Sequence, residues 1–272
     1  MDTPGETQGL AVRTTALTRR FDGLTAVDRV DLRISRGEIF GLLGANGAGK
    51  STMMKMLTTL LPPTSGNAQV GGYDIVKAPA EVRRHIGYVP QLLSADGALT
   101  GYENLRLSAK LYGLPRAERN ARIAEALDFM ELAASARKLV KTYSGGMVRR
   151  LELAQAMLHR PGILFLDEPT IGLDPVARHS VWDRLRDLRR DYNMTVLITT
   201  HDMEEAESLC DALAILHAGR IAVVGKPGEL RTALGPAATM DDVFAHYAGG
   251  GIRESGDLAG AIQAREAARR HG

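Results

Sequence analysis

The sequence predicts an α/β fold built on a largely parallel sheet, and three observations support this. Short apolar runs alternate with longer helical stretches along the 272 residues, the order expected of parallel strands joined by helices. A glycine-rich segment lies between one apolar run and a helical stretch. A later apolar run ends in two consecutive carboxylates. A chain of this length can bury the core that such a domain needs.

Six strands are predicted from the apolar runs, and antiparallel strands are expected before them. The segment preceding Ile39 alternates polar and apolar residues, a pattern that favours antiparallel strands beside the main sheet. The segment His217–Arg220 lies between the last two runs and predicts a hairpin turn. The six predicted strands are Ile39–Leu43, Ile86–Val89, Ile163–Leu166, Thr195–Thr199, Ala212–Leu216 and Ile221–Val224.

Between about residues 92 and 145 the β-like runs are absent and helix formers dominate. Thr100 and Glu103 match a capping box, which predicts the start of a helix. A Gly-Leu-Pro sequence interrupts the helical pattern, which resumes from Arg116 to Leu132. We therefore predict an all-helical subdomain inserted into the α/β domain.

The α/β domain is predicted over residues 10–248, between a flexible start at 1–9 and a tail at 249–272. The tail begins with three glycines and then becomes rich in Ala and Arg, a composition typical of a flexible join and a frayed helix. No stretch approaches the roughly 18 apolar residues of a membrane-spanning helix. We therefore expect any membrane role to come through a partner.

The charge balance and cysteine content exclude several classes of protein. Lys and Arg number 34 and Asp and Glu number 32, so the net charge is +2. This balance gives no support to nucleic-acid binding through a general basic surface. Cys210 is the single cysteine, which excludes an internal disulfide and a cysteine zinc cluster and suits a reducing cytosol.

The segment Gly44–Ser51 fits G-x-x-x-x-G-K-[ST], the phosphate-binding P-loop. Its glycines let successive N–H groups point at phosphate oxygens. Lys50 supplies a positive charge for the β- and γ-phosphates, and Ser51 supplies a hydroxyl ligand for Mg²⁺. A strand precedes the segment and a helix is predicted over Ser51–Leu61, so the required order of strand, loop and helix is present. This order disfavours the alternative, an ordinary glycine-rich turn.

Two carboxylates, Asp167 and Glu168, end the predicted strand that begins at Ile163. In P-loop nucleotide hydrolases the first such acid helps to hold Mg²⁺. The second is placed to polarise an attacking water. Buried strands often end in a solvated acid, so the P-loop upstream is what favours the functional interpretation.

Three further candidates are weaker when each is taken alone. Ser144, Gly145 and Gly146 precede a helix predicted over Val148–Leu158 and can form a second anion-binding corner, although many helices begin with such residues. His201 follows a predicted strand and could contact a γ-phosphate. The third is a glutamine at position 91, which could reach Mg²⁺ or water. For His201 and Gln91, a structural or surface role is the ordinary alternative.

Taken together, the motifs occur in the order found in the ATP-binding-cassette (ABC) ATPases, which the chain resembles from about Leu10 to Tyr247. After the P-loop, Gln91 in YVPQ is similar to the Q-loop. YSGGM at 143–147 resembles the ABC signature. ILFLDEPT resembles Walker B with its catalytic glutamate, IGLDP resembles the D-loop, and TTHDMEEAE contains the switch histidine.

The resemblance implies ATP and Mg²⁺ as ligands and ATP hydrolysis coupled to transport. Phe21 lies where the family places an aromatic ring that stacks on adenine. The residues implied for ATP binding are Phe21, Gly44, Asn46, Gly47, Ala48, Gly49, Lys50, Ser51, Thr52, Gln91, Ser144, Gly145, Gly146 and Asp174. Those implied for the metal are Ser51, Gln91 and Asp167, and those implied for catalysis are Glu168, His201 and Lys50.

The resemblance also implies partners and a location. Two chains would form a head-to-tail homodimer with two ATP molecules between them. One chain offers the P-loop side of each site, and the other closes it with Ser144, Gly145 and Gly146. An integral-membrane permease is expected as a separate chain, which would place this protein at the cytoplasmic face of the cell membrane as a peripheral subunit.

The signature departs from the common LSGGQ at Tyr143 and Met147. This YSGGM form, with TMDDVF near the C-terminus, resembles the branch of drug exporters typified by daunorubicin-resistance ATPase subunits. Export of a drug-like or lipophilic molecule is therefore expected, with an importer subunit as the alternative. A single cassette without heptads or a basic tract disfavours a non-transport ABC ATPase. Intact Glu168 and His201 disfavour a module that senses ATP without hydrolysing it.

Overall fold

The computed structural model describes residues 9–249. Residues 1–8 and 250–272, where a flexible start and a tail are predicted, lie outside the described residues. Within the described range, no helix combines the length and apolar character that crossing a membrane requires.

Ten strands form two sheets in the described region. They are β1 (Leu10–Phe21), β2 (Leu24–Ser35), β3 (Ile39–Leu43), β4 (Ser65–Val70), β5 (Tyr73–Asp74), β6 (Ile86–Val89), β7 (Ile163–Asp167), β8 (Thr195–Thr200), β9 (Ala212–His217) and β10 (Arg220–Gly225). The larger sheet has the order β10-β9-β3-β8-β7-β6. Its neighbours pair in parallel except β10, which is antiparallel to β9. All six strands predicted from apolar runs are confirmed, to within one residue.

The smaller sheet is antiparallel, in the order β2-β1-β4-β5, as the alternating N-terminal pattern predicts. In β2, Leu32 and Ile34 are buried whereas Arg33 and Ser35 are exposed. One face of this sheet therefore packs on the core and the other contacts solvent.

Nine α-helices complete the described region. They are α1 (Lys50–Leu57), α2 (Pro79–His85), α3 (Gly101–Leu111), α4 (Arg116–Phe129), α5 (Gly145–Met157), α6 (Pro175–Tyr192), α7 (Met203–Leu209), α8 (Pro227–Leu234) and α9 (Met240–Gly249). The predicted capping box is confirmed. The Thr100 side chain accepts a hydrogen bond from the Glu103 N–H, and the Glu103 carboxylate accepts one from the Thr100 N–H.

The helix after the P-loop is shorter than predicted, since it ends at Leu57 and not at Leu61. Thr59 adopts φ 64°, in the left-handed region. The N–H groups of Leu60 and Leu61 turn back to the carbonyl oxygen of Lys55, at 2.8 and 3.0 Å. This left-handed closure ends the helix before the two prolines that we expected to stop it.

Two bounds in the helical region also differ from prediction. Helix α4 ends at Phe129 instead of Leu132, since Glu131 adopts φ 54°. Helix α5 begins at Gly145, earlier than the predicted Val148, because Ser144 already acts as its N-cap.

The two faces of the larger sheet bury separate hydrophobic clusters. Phe40 and Leu42 of β3 pack with α1 and the smaller sheet. Leu164 and Leu166 of β7 face the other way and pack with residues of α3, α4, α5 and α6. Burial on both faces explains why these strands read as continuous apolar runs. Strands β3, β6, β7 and β8 are parallel, so their carboxyl ends lie on the same side of the sheet. The polar residues that follow these strands therefore lie together at that side, where ligands bind in such folds.

Candidate active site

The P-loop connects β3 to α1, and two of its glycines adopt conformations that other residues rarely take. Gly47 has φ 82° and Gly49 has φ 107°. A methyl group on Gly49 would lie 2.3 Å from the carbonyl oxygen of Ala26. Asn46 and Gly47 are exposed, whereas Gly44 and Ala48 are buried. The loop thus packs tightly against β2 at its base and opens to solvent at its tip.

Lys50 begins α1 and is only 4% exposed. Its ammonium group donates hydrogen bonds to the carbonyl oxygens of Gly44 at 2.7 Å and Ala45 at 3.3 Å. It also lies 3.3 Å from Oε1 of Glu168. The lysine is therefore held across the mouth of its own loop, beside a buried carboxylate that compensates its charge.

Asp167 ends β7 and is 3% exposed. Its Oδ1 accepts a hydrogen bond from the Ser51 hydroxyl at 3.2 Å and one from the Thr199 hydroxyl at 2.6 Å. A hydroxyl beside a carboxylate at the start of a P-loop helix is an oxygen donor set of the kind that suits Mg²⁺. Thr52, next to Ser51 on α1, is partly buried.

Three other predicted side chains converge on Glu168. Its Oε1 faces Lys50, and its Oε2 lies 3.3 Å from Nδ1 of His201. The Gln91 amide nitrogen donates to the same Oε2 at 3.4 Å. Lys50 of the P-loop therefore lies together with three residues that follow strands β6, β7 and β8. These are Gln91, Glu168 and His201.

The backbone of Glu168 adopts φ 49°, which is uncommon for a residue with a side chain. Its N–H donates to the hydroxyl of Thr199 at 2.9 Å. Strained residues of this kind persist where the surrounding contacts hold them and are frequent at active sites. The carboxylate is 6% exposed, while Gln91 and His201 beside it are exposed.

Ser144 and its two glycines lie away from the P-loop of the same chain. Ser144 accepts a hydrogen bond from the Met147 N–H at 3.3 Å and caps α5. Within residues 9–249 no hydrogen bond joins the segment 144–146 to the segment 44–51. A methyl group on Gly146 would lie 2.9 Å from Cβ of Ala177 on α6. This glycine therefore also has a packing reason to lack a side chain.

The two remaining predicted residues occupy exposed positions. Phe21 ends β1, is 42% exposed, and has the Arg19 guanidinium 4.6 Å from its ring centroid. Asp174 caps α6 by accepting a hydrogen bond from the Ala177 N–H at 2.9 Å. The Asp174 carboxylate makes no hydrogen bond to the P-loop among the described residues.

Two residues near Asp167 and Glu168 were not predicted from the sequence. Thr199 is the register partner of Asp167 across β7 and β8, so the order of the parallel strands would have pointed to it. Tyr88 lies on the neighbouring strand β6. Burial raises the pKa of its hydroxyl to about 12, and the Asp167 charge adds to that rise.

Comparison with known proteins supports one family. The family model described as "ABC transporter" matches residues 27–171. The chain is 45% identical over 225 residues to the daunorubicin/doxorubicin resistance ATP-binding protein DrrA of Streptomyces peucetius, covering 83% of this chain and 68% of that protein. It is 42% identical over 211 residues to the linearmycin resistance ATP-binding protein LnrL of Bacillus subtilis, covering 78% and 68%.

Solved structures show the same fold. The ATP-binding subunit of an ABC transporter superposes with a TM-score of 0.77 at 31% identity, covering 87% of this chain and 99% of that one. A dimeric ATP-binding cassette in a post-hydrolysis state, bound to ADP and Pi, superposes with a TM-score of 0.70 at 27% identity. It covers 79% of this chain and 98% of that one.

Proposed function

This chain belongs to the ABC transporter family, and we propose that it is the ATP-hydrolysing subunit of an exporter of drug-like or lipophilic molecules. The convergence of Lys50, Gln91 and His201 on the buried carboxylate of Glu168 carries this proposal. Together these residues supply a base in Glu168, a phosphate-binding cation in Lys50, and two further polar groups in Gln91 and His201. Two similar proteins are named for resistance to daunorubicin/doxorubicin and to linearmycin, which favours export over import.

The P-loop side of the site would bind the triphosphate of ATP. The exposed tip of the loop and the positive end of α1 suit an anion, and Phe21 presents an exposed ring for adenine. The residues we assign to this side are Phe21, Gly44, Asn46, Gly47, Ala48, Gly49, Lys50, Ser51 and Thr52. A triphosphate would supply Lys50 with the acceptors that backbone carbonyl oxygens and Glu168 provide in the structure.

Ser51, Asp167 and Gln91 are assigned to hold Mg²⁺. Held there, the ion would supply positive charge that offsets the negative charge of the transferring phosphoryl group. Hydroxyl, carboxylate and amide oxygens are the donors that Mg²⁺ prefers. Thr199 orients the Asp167 carboxylate through its 2.6 Å hydrogen bond.

For hydrolysis we assign Glu168 as the general base that accepts the proton of the attacking water. His201 and Lys50 would stabilise charge on the phosphoryl group. The buried position of Glu168 and its contact with His201 fix the direction of the carboxylate. Preorganised groups of this kind lower the barrier because they need not reorient during the reaction.

We propose that two chains complete each site, with Ser144, Gly145, Gly146 and Asp174 acting on the ATP held by the partner chain. Ser144, Gly145 and Asp174 are exposed and are not bonded to the P-loop of their own chain. Val176 and Ile171, which flank Asp174, are apolar yet 81% and 45% exposed. An exposed apolar rim of this kind is typical of a surface that a partner covers. A two-fold arrangement would place two ATP molecules in one dimer.

A separate integral-membrane permease would hold this subunit at the cytoplasmic face of the membrane. Leu92, Leu93 and Leu111 are 82%, 58% and 79% exposed, on the loop that follows Gln91 and on α3. We propose this apolar surface as the side that faces the permease. Gln91 would then lie next to the membrane partner.

The proposal is tested by co-purifying the chain with its membrane partner into inside-out vesicles. Daunorubicin, which is fluorescent, serves as the first probe. We expect ATP-dependent accumulation of the drug inside the vesicles, and no accumulation with the matched variant Glu168→Gln. ATP-driven loss of preloaded compound would favour an importer. ATP hydrolysis that moves none of a panel of lipophilic drugs would contradict the exporter assignment.

A further inference from the structure

A buried ion pair on α5 lies outside the catalytic groups assigned above. Nη1 of Arg149 lies 2.9 Å from Oε2 of Glu152, and the two side chains are 3% and 1% exposed. Burial lowers the pKa of the Arg149 guanidinium, and the charge of Glu152 opposes that shift. Burying two charges is unfavourable unless further hydrogen bonds satisfy them. The identity of those further partners therefore indicates what the pair does.

The further partners all belong to the loop after β6, which carries Gln91. Arg149 donates from Nη1 to the carbonyl oxygen of Pro90 at 2.9 Å and from Nη2 to that of Gln91 at 3.0 Å. Oε1 of Glu152 accepts hydrogen bonds from the Ser94 N–H and, at 3.0 Å, from the Ser94 hydroxyl. Arg149 thus holds the start of the loop, and Glu152 holds it at Ser94.

This loop has few other attachments. Residues 91–95 belong to no helix or strand. Within the described part of the chain they make no backbone–backbone hydrogen bond, and residues 91–94 are exposed. The position of the Gln91 backbone therefore depends on Arg149 and Glu152. Its side chain reaches Glu168 from that position.

Helix α5 also begins with the segment 144–146, which we assign to the partner chain's ATP. We propose that Arg149 and Glu152 are positioning residues that tie the placement of Gln91 to that of the signature segment, so that the two half-sites of one chain move together. This inference rests on the proposed function. It assigns a role to a charged pair outside the residues that we assign to ATP and Mg²⁺.

The chemistry of the pair explains why these two residue types are needed. The planar guanidinium of Arg149 has donors in a fixed fork, which can reach two carbonyl oxygens and a carboxylate together. A lysine has a single nitrogen and cannot span the same three acceptors. The two oxygens of Glu152 divide their roles, one for Arg149 and one for Ser94.

The test is a double-mutant cycle between Arg149→Lys and Gln91→Ala, read as kcat for ATP hydrolysis and as Kd for ATP. We expect Arg149→Lys to lower kcat about tenfold, the effect of losing a hydrogen bond to a charged group. The Kd for ATP should stay within about twofold because the P-loop is untouched. In the Gln91→Ala background, Arg149→Lys should have no further effect on kcat, because it acts through Gln91.

Arg150→Met is the matched control, since Arg150 lies on the same helix and pairs with Glu131, whose side chain is 60% exposed. It should change kcat less than twofold, because its partner Glu131 lies outside the loop that carries Gln91. If the effects of Arg149→Lys and Gln91→Ala multiply, or Arg149→Lys lowers only the melting temperature, the inference is overturned.

Ser94→Ala provides a second route if Arg149→Lys does not fold. It removes only the hydroxyl bond to Glu152 from an exposed loop, and it should lower kcat severalfold in the wild-type background but not in Gln91→Ala. An unchanged kcat would overturn the inference. A wild-type chain that hydrolyses no ATP would instead contradict the proposed function, so the two failures are distinguishable.

Discussion

Replacing Gly49 by alanine should destabilise the domain more than the same change at Gly47, although both glycines lie in the P-loop. Both have positive φ, and an alanine there costs about 1–2 kcal/mol of folding free energy. At Gly49 the new methyl group would also lie 2.3 Å from the Ala26 carbonyl oxygen, whereas at Gly47 nothing lies within 4 Å. Overpacking of this kind adds about 1–3 kcal/mol. The difference between the variants isolates the contact between the loop and β2.

The assay is thermal unfolding without nucleotide, so that differences in ATP binding do not enter. For a domain of this size each kcal/mol shifts the melting temperature by about 2–4 °C. We expect Gly47→Ala to lower it by about 4 °C and Gly49→Ala by about 10 °C. Equal melting temperatures for the two variants would refute the claim that the base of the P-loop is packed against β2.

Three further outcomes are expected. Glu168→Gln should retain ATP binding but lower turnover about 10²-fold, as loss of a general base does; near-normal phosphate release would remove Glu168 from that role. Burial raises the pKa of the Glu205 carboxyl group, so this group binds a proton more tightly in the folded chain than in the unfolded chain. Stability should therefore fall as the pH rises above the ordinary carboxyl pKa, and Glu205→Gln should flatten that slope in melts at about pH 5 to 7; an unchanged slope would count against the assignment. Burial also raises the pKa of the Cys210 thiol well above its usual value, so iodoacetamide should modify it only after unfolding, and rapid labelling of the folded chain would be contrary evidence.

The placement of the residues at the candidate site was largely predictable because they follow apolar strands in recognisable patterns. Lys50 and Ser51 stand in a P-loop, and Asp167 and Glu168 end a continuous apolar run. Since parallel strands align their carboxyl ends, the sequence alone implied that these groups could lie at one edge. The structure confirms the strands and places Lys50 3.3 Å from Glu168.

Other features depend on contacts between distant segments or on single backbone conformations. The hydrogen bonds from Arg149 to Pro90 and from Ser94 to Glu152 each join segments more than 50 residues apart, and no local pattern marks them. The early end of α1 results from the left-handed conformation of Thr59, a residue with low preference for that region. This local turn ends the helix before Leu61, the residue to which the sequence predicted it.

The proposal that two chains build each ATP site is tested most directly by mixing two inactive variants, Glu168→Gln and Ser144→Arg. In a mixed dimer one site would carry both changes and the other would carry neither. Equal amounts should give about half mixed dimers, each with one of two sites intact, and so about a quarter of the wild-type ATPase rate. A mixture that shows only the average of the two inactive variants would contradict a site shared between chains.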